Sequence, residues 1–447
     1  MSRVRQRAEL TFRHNVNLCR HGWLRLTPAY SVKLVRRLIM ALNGDHSERV
    51  ILDPFSGTAT TGVTAAESGM RAELLDINPF LVWLGNTKCR LYSAGDIGGE
   101  RGILDEVVSR SCGDLSEPAW APPIHRIERW WSPEVLEVLS SVRSALQGLA
   151  NAPKAGTSAP ILWIAFCRLV IEVSAAAFNH VSMSFADGPP RVAEESLTAL
   201  FRQIAETFLD DAEAELPGEA RVLLGDSRDV PTATDTKFTH VITSPPYPNR
   251  ISYIRELRPY MYWTGFLESA RQAGDLDWEA IGGTWGVATS RLKDWEGDGA
   301  ARLADVREIA SEIRNCGEKN SELMAQYVLK YFTDMHMHLA SLRRSLRSDA
   351  SLYYIVGNSS FYGIQVPTHT LLEGIMQDLG YEDLDITVVR KRNSKKELFE
   401  YCVSATWEPR THGSRIRPFQ DAGDSLSGQI ALDIRMAKEQ LSSDHYT

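Results

Sequence analysis

Paired cysteines, uncharged apolar runs and internal repeats are all missing from this 447-residue chain. Its six cysteines, at 19, 89, 112, 167, 316 and 402, stand singly with no CxxC. That argues against a zinc site and a disulfide framework, and fits a reducing cytoplasm. The most apolar stretch, PILWIAFCRLVIEVSAAAF (160–178), carries Arg168 and Glu172 four apart. A lipid-facing helix rarely tolerates such a pair at mid-span, so a buried core helix is expected and no membrane partner. MSRVRQRAEL, at the start, is basic but leads into no apolar run, so no signal peptide is expected. No low-complexity tract and no nuclease or helicase motif is legible, which leaves any such activity to another polypeptide.

The net charge of −8 alone disfavours a nucleic-acid partner, but its distribution tells more than its sum. Residues 1–37 hold nine Lys/Arg against the single acid Glu9, and RKRNSKK (390–396) adds five positive charges. The acids gather elsewhere, in DLDWEA (275–280) and DDAEAELPGE (210–219). Basic ends on an acidic body are compatible with gripping a phosphate backbone. Solvated faces account for each run, taken alone, equally well.

Strand and helix patterns alternate along the chain. PAYSVKLVRRLIMAL (28–42) has helical apolar spacing. RVILDPFSGTATTGVTAAESG (49–69) reads as strand, turn and helix, and RAELLDINPFLVWLGNTKC (71–89) as strand, acidic tip and helix. Together they form a βαβ unit, the opening of a doubly wound sheet. Strands resume at 220–226 and 238–244. After these come a helix over 322–346, a strand over 351–358, a helix over 368–379 and a strand pair over 384–392 and 397–405. The spacing predicts one discontinuous α/β domain over 1–95 and 220–409. Two decorations interrupt it: a mainly helical insertion (96–219), a candidate target-recognition region, and a smaller one (268–320), a candidate DNA contact. A polar tail fills 410–447.

Chemistry-bearing residues collect at strand ends, where ligands sit in open α/β sheets. DPFSGTATTG (53–62) places Gly57 and Gly62 among small residues, so backbone can approach a ligand closely. It is neither GxGxxG nor a phosphate loop ending in GK[ST]. Asp76, in LLDINP, ends the next strand and can accept from both ribose hydroxyls of a nucleoside, or merely cap the helix beginning near Pro79. GDSRDV (225–230) delivers Asp226 in the same way, suited to an adenine amine or to a turn. TSPPYPNR (243–250) stops a strand on consecutive prolines, with an aromatic at the tip.

This ordered set resembles the amino-methylating DNA methyltransferases that carry a TSPPY motif and use S-adenosylmethionine. The likeness covers roughly 20–95 and 220–406. It implies a Rossmann-like methyltransferase fold: a seven-stranded, mostly parallel sheet with an antiparallel last strand. It further implies that Pro28, Ser31, Asp53, Phe55, Ser56, Gly57, Thr58, Asp76, Ile77, Asp226, Ser227 and Thr243 surround the cofactor. Ser244, Pro245, Pro246 and Tyr247 would then form the catalytic segment. An exocyclic amine is a poor nucleophile because its lone pair is delocalised into the ring. The Ser244 hydroxyl and the Pro245 carbonyl can hold its hydrogens while Tyr247 stacks on a base rotated out of the duplex.

A serine at the first motif position is associated in that family mainly with cytosine N4, and an aspartate with adenine N6. Double-stranded DNA is the expected substrate, with a separately encoded restriction nuclease or defence subunit as partner and a cytoplasmic location. DNA contacts are expected at Asn249, Arg250, Arg390, Lys391 and Arg392, and at Asn179 and Ser182 in the helical insertion. No metal is expected. Cytosine N4 is the expected target; an N6-adenine DNA enzyme on the same scaffold, an RNA or protein methylase, and a non-catalytic module on a decayed methylase fold are the rival readings.

Overall fold

Four consecutive buried residues in Val50–Asp53 (β1) require a strand covered on both faces, which a parallel sheet flanked by helices provides. The computed structural model describes residues 7–26, 29–42, 48–111, 120–177, 184–186, 188, 194–230, 237–283, 287–295, 303–392 and 397–409. Pro28, Asn179, Ser182 and the tail from 410 lie outside the described residues.

Helix α1 spans Val32–Met40, and β1 leads through a tight turn into α2, Thr60–Glu67. Strand β2, Arg71–Asp76, precedes α3, Pro79–Cys89, whose first turn accepts Pro79 because no intrahelical donor is lost there. Four helices follow, α4 (Ala94–Ser111), α5 (Pro133–Ala150), α6 (Pro160–Glu172) and α7 (Glu194–Ala212). Strands β3 (Glu219–Leu224) and β4 (Phe238–Thr243) return to the sheet. Next come α8 (Tyr253–Trp263), α9 (Ala270–Glu279), α10 (Ala304–Asn315) and α11 (Ser321–Leu342). Strand β5 (Leu346–Gly357), α12 (Thr368–Asp378), β6 (Glu382–Lys391) and β7 (Phe399–Trp407) complete the main sheet and its helices. Helix α11 stops four residues short of the expected 346, because Arg343–Ser345 tighten into a 3₁₀ turn.

The sheet order is β6-β7-β5-β4-β1-β2-β3. Strands β1 to β5 pair in parallel where they are neighbours, and β7 runs antiparallel to both β5 and β6. This is a Rossmann-like methyltransferase fold. From β1 the chain winds outward through β2 to β3, then crosses back so that β4 lies on the other side of β1. The reversal opens a crevice beyond the carboxyl ends of β1 and β4.

Both insertions share cores with the sheet's helices. Ile161–Cys167 of α6 are wholly buried against one cluster that also holds Phe80 and Leu84 of α3 and Tyr260 and Trp263 of α8. Arg168 and Glu172 pair with each other toward the open end of α6, and among the described residues no single helix is long and apolar enough to cross a membrane. Trp130 and Trp131 are buried in the same cluster, with the Trp131 indole donating to the Val170 carbonyl at 2.9 Å. They pack; neither presents a face to a base. On the opposite side, Ile281, Leu303 and Val306 of the second insertion join Met324 and Val328 of α11 in one cluster with β4 and β5.

Candidate active site

The crevice begins over a buried carboxylate. Asp53 ends β1 fully buried and takes four hydrogen bonds. Thr243 Oγ1 and Phe55 N donate to Oδ1 at 2.6 and 3.1 Å, and Thr61 Oγ1 and the Tyr30 hydroxyl donate to Oδ2 at 2.6 and 3.3 Å. Burial pushes its pKa up and these donors pull it back. Every hydrogen bond that Asp53 makes among the described residues is internal, and it fastens β1, β4 and the turn together beneath the floor. Thr243 is spent on Asp53 and is likewise fully buried. Ser31, also buried, donates to the Glu9 carbonyl at 2.9 Å instead of facing the cleft.

Above that floor lies a cleft of about 990 Å³, its open mouth included. Phe55, Ser56, Gly57, Thr58, Asp76, Ile77, Asp226, Ser227, Ser244 and Pro246 all line it, so residues from four strand ends converge as expected. Gly57 adopts φ +52°, a left-handed conformation open to glycine at little cost, and its N–H donates to Asp76 Oδ2 at 2.9 Å. Asp76 Oδ1 accepts from Asn78 N at 2.9 Å. The helix cap is Asn78, whose own side chain accepts from Phe80 N at 3.0 Å, so Asp76 is not consumed by capping α3. Desolvation pushes its pKa up to about 7, against the pull of those backbone donors. The buried Ser56 hydroxyl finds no hydrogen-bond partner among the described residues.

Two features of the loop were not legible in sequence. Lys88 is fully buried in α3 and donates from Nζ to the Thr58 carbonyl at 2.6 Å, propping the turn from below. Burial lowers its pKa to about 8. Phe55 meets the His338 imidazole edge-on, with ring centres 4.9 Å apart. His338 is held between the Ser227 carbonyl at 2.7 Å and the Tyr354 hydroxyl at 2.6 Å, and burial lowers its pKa to about 4.

Asp226 reaches the cleft, but its carboxylate is already engaged. Arg228 contacts it through Nε at 3.0 Å and Nη2 at 2.7 Å, and also donates to the Glu279 carbonyl at 2.7 Å. The second insertion contributes more than a surface loop, since Asp277, Glu279, Ala280, Ile281 and Gly283 form one wall. Asp277 is buried and accepts from Ser252 Oγ at 2.6 Å. The lining thus contains four carboxylates, Asp76, Asp226, Asp277 and Glu279, and no lysine, arginine or histidine among the described residues.

Beyond β4, Ser244 Oγ donates to the Ile355 carbonyl at 3.1 Å and lies 3.5 Å from the Tyr247 hydroxyl. The Pro246 carbonyl accepts from the Tyr331 hydroxyl at 2.8 Å. The Pro245 carbonyl takes no hydrogen bond from any described residue. Tyr247, half-buried, donates to Glu400 Oε1 at 2.9 Å.

The expected phosphate contacts separate here. Arg390 grips the buried Glu400 with two donors at 2.8 and 3.0 Å and keeps 16% of its side chain exposed. Lys391 pairs with Glu397 at 3.1 Å. Arg392 lies over the Tyr247 ring, 5.0 Å from its centre, and donates to the Asn358 carbonyl at 2.8 Å. Asn249 Oδ1 accepts from Ile251 N at 3.2 Å and shapes its own loop. Arg250 alone of this set is exposed, on a left-handed backbone with φ +60°.

No family model matches the chain. A solved structure of Haemonchus contortus phosphoethanolamine N-methyltransferase 1 with S-adenosylhomocysteine covers 84% of the chain at 9% identity, with a TM-score of 0.16. The Type II methyltransferase M.AvaI of Nostoc sp., and that of Anabaena variabilis, are each 19% identical over 87% of the chain and 85% of their own lengths. The chain is also similar to the Type II methyltransferase M.BsoBI of Geobacillus stearothermophilus, at 24% identity over 88% of the chain and 85% of that protein.

Proposed function

We propose that this protein transfers a methyl group from S-adenosylmethionine to an exocyclic amine in double-stranded DNA, preferring cytosine N4 to adenine N6. One observation carries the reading: Ser244 and Pro246 open onto the same cleft as Gly57 and Asp76. A segment suited to holding an amine thus shares a cavity with a loop suited to holding a nucleoside. The similarity to two Type II methyltransferases over most of the chain supports it.

The residues present fit the cofactor. Its adenosine hydroxyls match Asp76, and the partnerless Ser56 hydroxyl offers a further polar contact. With Asp226 paired to Arg228, the lining's other carboxylates, Asp76, Asp277 and Glu279, favour a ligand that carries positive charge over a nucleoside phosphate. Asp226, tied to Arg228, shapes the adenine side through that pair.

Bound S-adenosylmethionine supplies an electrophilic methyl group. The protein's part is to present the amine lone pair to it. The Pro245 carbonyl, which takes no hydrogen bond from any described residue, can accept one amine hydrogen. Ser244 Oγ, donating its own proton to Ile355, keeps lone pairs for the other. Held so, the nitrogen is drawn toward tetrahedral geometry, and its proton becomes acidic as charge develops there. Tyr247 offers a ring on which a base taken out of the duplex can stack. Ser244 is what favours cytosine N4, and a separately encoded restriction nuclease is the partner this reading implies.

Purified protein, tritiated S-adenosylmethionine and unmethylated duplex DNA of mixed sequence provide the test, with nucleoside mass analysis after digestion. N4-methylcytosine is expected, and Ser244→Ala should remove it while leaving cofactor binding in place. N6-methyladenine would overturn the base assignment, and a DNA that gains no label would overturn the reading.

A further inference from the structure

We propose that Glu400 and Gly357 are positioning residues for Tyr247, an inference that rests on the stacking role given to that tyrosine above. The three strands β5, β7 and β6 bring Gly357, Glu400 and Arg390 into one row, since Gly357 pairs with Glu400 and Glu400 with Arg390. Glu400 sits at the middle of that row and is buried. A lone carboxylate there would be costly, and the bidentate Arg390 contact supplies its counter-charge on one side. On the other side it accepts the Tyr247 hydroxyl at 2.9 Å. The Arg390 fork fixes where the carboxylate stands, and the carboxylate fixes where the phenol ends.

Gly357 acts on the ring itself. A Cβ at that position would stand 2.7 Å from Tyr247 Cδ2 and 2.8 Å from Cε2, closer than carbon atoms approach. Arg392 Nη1 would be 2.4 Å away, but a guanidinium can swing aside where a packed ring cannot. The ring therefore occupies space that only glycine leaves open, with Arg392 over it at 5.0 Å. Two constraints of different kinds, a hydrogen bond at the hydroxyl and steric room along the ring edge, select one orientation. A stacking platform misplaced by about 1 Å can lower turnover roughly a hundredfold, so such constraints bear directly on rate.

The test combines structure and rate. Crystal structures of Glu400→Ala and Gly357→Ala are expected to show the Tyr247 ring rotated, and an unmoved ring overturns the proposal whether or not the wild-type protein methylates DNA. Calorimetric titration with S-adenosylmethionine should give affinities within about twofold of wild type, with methyl transfer to mixed-sequence duplex DNA slowed roughly 10- to 100-fold. Glu400→Gln, whose amide oxygen still accepts the phenol, should recover most of the Glu400→Ala loss. Tyr247→Phe combined with Glu400→Ala should be no slower than the worse single variant; losses that multiply would mean that Glu400 acts elsewhere. If the wild-type protein labels no DNA, the function assigned above fails, and the ring position in the variants still decides this proposal.

Discussion

Thr243 Oγ1 donates to Asp53 Oδ1 at 2.6 Å, joining the carboxyl ends of β4 and β1 at the point where the sheet reverses its winding. The glycine turn at Gly57 leaves β1 and the Ser244–Tyr247 segment leaves β4. This buried hydrogen bond adds to the strand pairing in tying the two halves of the candidate site together.

Removing that carboxylate should cost stability more than chemistry. Asp53→Ala removes the acceptor of the Thr243 hydroxyl in a dry interior and leaves Thr61 with the Ile242 carbonyl and Tyr30 with Thr61, at about 2 kcal/mol in total. Asp53→Asn keeps the shape and one acceptor, and hydroxyls can turn to accept from its amide, so a loss of about 1 kcal/mol is expected. Urea unfolding of the two variants checks the ranking. Equal losses would show that the cavity left by alanine costs nothing and that the lost carboxylate oxygen carries the whole effect.

Asp76 predicts a pH dependence. Its pKa in the folded protein is pushed up to about 7, chiefly by desolvation. Below that pH the side chain is a neutral carboxyl, a weaker acceptor for ribose hydroxyls and a weaker partner for a cation. S-adenosylmethionine binding should therefore tighten as pH rises through 7, with affinity at pH 6 roughly tenfold below its limit at high pH. The sign for folding is opposite. An acid whose folded pKa is raised is easier to ionise when unfolded, so the stability of the free protein should decline between about pH 4 and pH 7. Titration calorimetry from pH 6 to 8 reads the first effect, and Asp76→Asn should flatten it. A flat profile in the wild-type protein would remove Asp76 from the binding step.

Much of this site could be read from local sequence, because strand ends announce themselves locally. Val50–Asp53 followed by Gly57, Arg71–Asp76 followed by Pro79, and Phe238–Thr243 followed by two prolines each carry an apolar run and its terminator within about ten residues. What stayed hidden depends on register between distant strands. That Arg390 meets Glu400 follows from the pairing of β6 with β7, and that Gly357 meets both follows from the pairing of β7 with β5. From sequence alone, RKR at a hairpin bend looks like a free cationic cluster. The fold instead places a buried acid beside its first member. Lys88, in the last turn of an apolar helix, looks exposed until the Thr58 carbonyl is seen beneath it. The wall formed by Asp277 to Gly283 was hidden for the same reason, since α9 and the turn after it return to the cleft from an insertion with no strand pattern.

The arginines give the last prediction. Each phosphate neutralised by a cation releases condensed counterions, so the slope of log affinity against log salt counts the contacts made. Arg250 is exposed three residues after Tyr247, on a backbone held by the bond from its N–H to the Tyr327 hydroxyl at 3.3 Å. Arg250→Ala should lower that slope by roughly one unit and weaken binding to all duplexes about equally. Arg390→Gln should leave the slope unchanged, because the guanidinium is spent on Glu400, and should instead lower the unfolding free energy by about 3 kcal/mol by stripping a buried carboxylate of its partner. Fluorescence anisotropy of labelled duplex DNA across a salt series, with thermal melts of the same preparations, separates the two. A reduced slope in Arg390→Gln without loss of stability would return that arginine to the DNA-binding surface.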